Sequence, residues 1–189
     1  IGISLNIDLP DTAKSLGIVL PQATLQSLVS AGVRKLEING IIVFLDLDLE
    51  ALKEIQKQST GDVTITIKPV KNLSAAAKKL IGARTVYDVT FSYVKDGKTV
   101  TITSLGKGSA ILSIPYAPNR NEAVGWLFGV YVDASGQATR IPGSAYDANS
   151  RSIILSGNHF SIYGVGYTAP TEKYTDIAAH WAQESIDYV

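Results

Sequence analysis

Four large aromatic side chains, Trp126, Tyr116, Tyr131 and Tyr146, most directly suggest a ligand. Flat rings stack on pyranose faces, so together they would make a sugar-stacking platform of the kind carbohydrate-binding modules use. Aromatics that alternate along strands also fill cores, and both readings stand at this level. Asp46-Leu-Asp48-Leu-Glu50 spaces three carboxylates like the start of a calcium loop. It lacks the glycine and distal glutamate of that loop, and Leu49 fits a helix face, so a strand end followed by an N-cap is expected. Leu105-Gly-Lys-Gly-Ser109 echoes a phosphate loop without its Lys-Ser/Thr pair or following helix, and reads as a flexible turn. A Ser-His-Asp triad would need His159 or His180, and no Gly-x-Ser-x-Gly is present. No carboxylate pair sits in a glycosidase motif. With two His and no Cys, neither a metal nor a cofactor is expected, and no disulfide.

The elements that must position these residues change character along the chain. Residues 1–83 show a strand and then a helix three times. Ser15–Leu20 is extended, Pro21 opens a helical turn, and Leu25, Leu28 and Val29 recur at helical spacing up to Gly32. Ile41–Leu47 is an apolar run, Asp48 is an N-cap, and Leu49, Leu52 and Ile55 make one helix face. Val63–Ile67 alternates like a half-buried strand, and a helix over Ser74–Ile81 stops at Gly82. Helices this short need a sheet to pack on.

Residues 84–168 read as strands throughout: Val86–Val94, a Lys95–Lys98 hairpin turn, Thr99–Thr103, Ala110–Pro115, Trp126–Val132, Ala138–Ile141, Ser152–Leu155 and Phe160–Val165. This segment holds 11 of the 15 aromatics, whereas residues 1–83 hold only Phe44. The expected fold is α+β and mainly β, an antiparallel β-sandwich with short helices in its N-terminal half. A C-terminal helical tail follows a linker at 169–173.

Lys and Arg number 17 against 17 Asp and Glu, so the electrostatic footprint of a nucleic-acid binder is absent. No apolar run approaches the roughly 18 residues of a membrane span, and no membrane insertion is expected. The neutrality conceals unlike parts: residues 169–189 carry one basic and four acidic side chains. The chain lacks an initiator Met and stops abruptly at Val189, as a piece of a longer protein would.

The tail Tyr174–Val189 resembles the opening of an S-layer homology repeat. Tyr174, Asp176, Ile177, His180, Trp181, Ala182 and Ile186 occupy the matching places of its aromatic-x-Asp-hydrophobic and Trp-Ala pattern. The resemblance implies an anchor of three repeats that binds the secondary polysaccharide of a Gram-positive cell wall. The basic residues that contact sugar in that family come later in each repeat, so none is carried onto this chain. The main body resembles a β-sandwich region found before such repeats in surface proteins and surface-anchored glycoside hydrolases of Firmicutes. The phrases that carry this are Leu20-Pro21 with Leu28–Val33, Leu112–Tyr116 and Asn158–Val165. Asn158–Val165 also resembles the final strand of the sandwich domain shared by zonula-occludens, netrin-receptor and ankyrin proteins.

Some relatives of that domain cut their own chain before the serine of a His-Phe-Ser, which here is His159-Phe160-Ser161. By that resemblance Ser161 Oγ would attack the Phe160 carbonyl, with His159 taking the hydroxyl proton, and hydrolysis of the resulting ester would separate the fragments. The simpler reading puts Phe160 in the core, with His159 and Ser161 pointing outward. The expected function is therefore that of a spacer rather than an enzyme. The module would sit outside the cell, in the wall or S-layer, between an upstream functional part and an anchor that starts at Tyr174. Carbohydrate binding and self-cleavage are the alternatives.

Overall fold

The computed structural model describes residues 1–170. Residues 171–189, with Tyr174, Asp176, His180, Trp181 and Ile186, lie outside the described residues. The described chain is mainly β, with two sheets and three α-helices. One sheet runs, in spatial order, β1 (Gly2–Asn6), β3 (Lys35–Asn39), β4 (Phe44–Asp48), β8 (Ala110–Pro115), β12 (Ser152–Gly157) and β11 (Ala145–Asp147). The other runs β10 (Ala138–Arg140), β9 (Leu127–Val132), β13 (Ile162–Tyr167), β6 (Val86–Lys95), β5 (Val63–Pro69) and β2 (Leu16–Leu20). A further strand, β7 (Lys98–Ile102), pairs with β6. β5 lies against β6 from Tyr87 to Ser92, a stretch that overlaps the registers of both β13 and β7. The long β6 therefore carries β5 on one edge, and shares the other between β13 at its start and β7 at its end.

Pairing is antiparallel except between β1 and β3, which run parallel with Gly2 opposite Lys35. That pair departs from the all-antiparallel expectation. Parallel neighbours need a crossover, and the chain supplies one by passing through β2 and α1 (Gln22–Ser30) between them. Each sheet also takes strands from both 1–83 and 84–168, so the compositional boundary at 83/84 runs through both sheets.

The three helices stand where their local signals put them. α2 (Leu49–Gln58) starts at Asp48, whose carboxylate accepts from the Ala51 N–H at 2.7 Å. Glu50 in the first turn and Lys57 in the last suit the helix dipole. α3 (Ala75–Ile81) starts on Ser74, which accepts from the Ala77 N–H at 3.0 Å, and stops at Gly82 in a positive-φ conformation. α1 follows Pro21, and its first N–H, on Gln22, donates to Asp62 at 2.9 Å.

Asp48 has a second role. Its other carboxylate oxygen accepts from both the backbone N–H and the hydroxyl of Ser109 at 3.0 Å. Gly108 packs so closely that a Cβ there would meet the Ala51 nitrogen at 2.1 Å. Both motifs of uncertain chemistry thus turn into one structural joint. The acidic triplet is a strand end and N-cap, and the Leu105–Ser109 loop is a tight turn seated on the start of α2.

The principal core draws on both sheets and two helices. Leu45, Leu112 and Leu155 come from the first sheet, Ile65, Phe91 and Tyr163 from the second, Leu25 from α1, and Leu52 and Ile55 from α2. A smaller cluster packs Ala77 and Ile81 of α3 on Phe128, Val130 and Val132 of β9. β9 is thereby covered on both faces, which accounts for its nearly unbroken apolar run.

Candidate functional site

His159, Phe160 and Ser161 lie just before β13, and their side chains go to three different places. Phe160 is buried and stacks on Phe91, with centroids 3.7 Å apart and planes 8° from parallel. The Tyr163 hydroxyl lies 2.6 Å from the His159 carbonyl oxygen and 2.9 Å from His159 Nδ1. Its single proton goes to the carbonyl, which can only accept, so Nδ1 carries a hydrogen and donates to the phenol oxygen. Burial, and then the neighbouring Tyr131, push the Tyr163 hydroxyl to a pKa well above the ordinary tyrosine range, so it stays protonated as this arrangement needs. The Ser161 hydroxyl donates to the Val132 carbonyl on β9 at 3.1 Å. The Ser161 hydroxyl is thus turned to Val132 and His159 is held through Nδ1 by Tyr163, and among the described residues no hydrogen bond joins the imidazole to the hydroxyl that self-cleavage would pair with it.

The four aromatics are half-buried, but they do not form one platform. Tyr116 and Tyr146 flank a cleft of about 530 Å³, with Pro115, Pro118 and Arg151. Tyr131 lies instead beside His159 and Tyr163 in a separate cleft of about 220 Å³. Trp126 sits in a 3₁₀ turn before β9 and lines neither.

Next to Tyr116 is a polar cluster that no sequence motif marks. Glu122 is buried, and Arg84 Nε donates to its Oε1 at 2.5 Å. The Tyr116 hydroxyl and the Asn119 N–H donate to Oε2 at 2.7 and 2.8 Å. Arg84 also donates to the Ile81 carbonyl at the end of α3, and its guanidinium lies over the Tyr167 ring at 5.0 Å. Burial works against the Glu122 anion, but the hydrogen bonds from Asn119, Tyr116 and Arg84 outweigh it, and the carboxyl titrates below its ordinary value. Burial and the same carboxylate push the Tyr116 hydroxyl up to about 12. The cluster lines a cleft of about 440 Å³.

These residues come from α3's exit, the loop after β8 and the end of β13. Arg84 and Glu122 are 38 positions apart, and neither belongs to a motif. The one local signal is a glutamate beside an apolar Ala-Val-Gly-Trp stretch, where an unpaired charge would not be tolerated. Among the described residues no group of three His, Cys, Asp or Glu is arranged to hold a metal, and no helix is long and apolar enough to cross a membrane. No family model, curated protein or solved structure matches this chain.

Proposed function

We propose that this chain is a structural spacer of an extracellular, wall-attached protein, joining an upstream functional part to an anchor that begins at Tyr174. The anchor's complete repeats, outside this chain, would engage cell-wall polysaccharide. One observation carries the reading: the strand that leads toward Tyr174 is an interior one. β13 is laddered to β9 over six residue pairs and to β6 over three, and Tyr163 and Val165 on it are buried. Load from the anchor would meet hydrogen bonds on both flanks before reaching the core. On this reading the two sheets stack as a β-sandwich. The shared core supports that, as does Gly129 of β9, where a Cβ would come within 2.9 Å of Leu155 on β12.

Stretching the chain by its two ends between molecular handles tests the proposal. A single cooperative rupture is expected. Gradual extension without a rupture peak would remove the mechanical basis of the reading.

A second reading, a carbohydrate-binding module, is supported by Tyr116 and Tyr146 flanking one cleft. Calorimetric titration with wall glycans and xylan separates the two readings, since a pure spacer releases no binding heat with any of them.

A further inference from the structure

We propose that the chain carries a groove for an acidic polysaccharide, running from Lys71 and Lys78 past Tyr116 to Tyr146 and Arg151. The proposal rests on the second reading above, and adds a site and a charge requirement to it. Three clefts of about 380, 440 and 530 Å³ share walls in series. The first and second meet at Gly82, Ala83 and Arg84, and the second and third at Tyr116 and Ala117. Clefts that follow one another along shared walls suit an extended ligand rather than a compact one.

The charge along this path is one-sided. Its charged lining residues are Lys71, Lys78, Arg84, Arg151 and Glu122. Glu122 is buried and neutralised by Arg84, whereas Lys71, Lys78 and Arg151 make no ion pair among the described residues. In a chain of zero net charge, unbalanced cations stand at both ends of the groove, Lys71 and Lys78 in the first cleft and Arg151 beside Tyr116 and Tyr146 in the third. That order matches a chain of flat pyranose rings bearing carboxylates at intervals. Thr85 and Asn119 in the middle cleft offer hydrogen bonds to sugar hydroxyls. A nucleic acid fits less well, because its phosphates would call for a denser row of cations than three along the groove.

The Arg84–Glu122–Tyr116 cluster has a positioning role in this picture. It holds the Tyr116 ring against the groove through the 2.7 Å bond to Glu122.

Calorimetry with oligogalacturonate, its fully methyl-esterified form and a single-stranded DNA oligomer tests the proposal. The ester keeps the sugar backbone and removes the charge. Oligogalacturonate is expected to bind, more weakly at high salt, with the ester about tenfold weaker. Lys71→Gln combined with Lys78→Gln should weaken oligogalacturonate about tenfold and leave the ester unchanged. Both lysines are exposed, so this variant keeps the fold, and Tyr146→Ala should weaken both glycans. Equal, salt-insensitive binding of acid and ester would overturn the charge requirement and leave sugar stacking standing. Tighter binding of the DNA would reassign the groove. Binding unchanged in the lysine variant would place the site elsewhere, and no glycan binding at all would overturn this proposal and the second reading together.

Discussion

The Arg84–Glu122 pair sets the residue scale. Removing water from Glu122 is costly, and its charge is tolerable because Arg84, the Tyr116 hydroxyl and the Asn119 N–H all donate to it, while Arg84 also donates to the Ile81 carbonyl. Deleting one partner leaves the other charge stranded. Arg84→Ala should therefore destabilise the fold by about 3 kcal/mol, read from urea unfolding. An unchanged midpoint would mean that solvent reaches Glu122. The pH dependence has a defined sign. The Glu122 carboxyl is lowered below its ordinary value of 4.5 in the folded chain, so its stabilisation is complete above that pH. It is then lost as the pH falls through the lower folded value. Asp133 and Asp147 are lowered as well, first by hydrogen bonds from Ser135 and Ser150, and add to the same acid slope. Glu122→Gln isolates the one contribution: the variant should be less stable at pH 7, and its stability should fall less steeply below pH 4.5. Parallel acid limbs for the two proteins would contradict the assignment. Ser59 offers the reverse case. Its hydroxyl is buried at the end of α2 with no hydrogen-bond partner among the described residues, although its N–H bonds to the Ile55 carbonyl. Ser59→Ala keeps the backbone bond and removes the orphan, and should raise stability by about 1 kcal/mol in thermal melts. A lower melting temperature would mean that water satisfies the hydroxyl.

At the scale of elements, the joint between α2 and the turn before β8 rests on one side chain. Asp48 caps the helix with one oxygen and holds Ser109 with the other. Asp48→Ala should cost about 2 kcal/mol, more than an ordinary cap, because three donors lose their acceptor. Asp48→Asn, which keeps an acceptor for the helix, should recover part of that loss; recovery of none would mean that charge, not hydrogen bonding, holds the joint. What the sequence disclosed about such elements follows from how local their causes are. Pro21 before α1, Asp48 before α2, and Ser74 and Gly82 around α3 each act within one turn of their own helices, so all three helices were legible. β3 also carried its signal, an alternating Lys-Leu-Glu-Ile-Asn, although no strand was read there. β1 alternates as well, with Ile3 and Leu5 set between Gly2, Ser4 and Asn6, but all five of its residues are exposed, and its pairing depends on β3, more than 30 residues later, offering an edge. β11 is three residues long and begins where the sequence shows turn residues. The groove was illegible for the same reason. Its aromatics were noticed by type, but Lys71, Arg84, Glu122 and Arg151 come together only through the topology.

At the scale of the whole molecule, the segment rich in helices and the segment rich in aromatics are not separate bodies. β1, β3 and β4 from the first complete a sheet with β8, β12 and β11 from the second, while β2 and β5 complete the other sheet beside β6. The core cluster likewise mixes Leu25, Leu52 and Ile65 with Phe91, Leu112 and Tyr163. Cutting the chain at 83/84 would expose the β4 edge facing β8 and the β5 edge facing β6, and strip the apolar faces of both sheets. Burial of this kind supplies most of the free energy that offsets chain entropy, and neither piece retains an intact face pair. Residues 1–83 and 84–168, expressed separately, should each show the dispersed-free amide spectrum of an unfolded chain. Residues 1–168 together should melt in one transition, with coincident far-ultraviolet and near-ultraviolet circular dichroism signals. A folded 1–83 piece, or two resolved transitions in the intact chain, would divide the molecule into independent units. It would also remove the cooperative rupture on which the spacer reading depends.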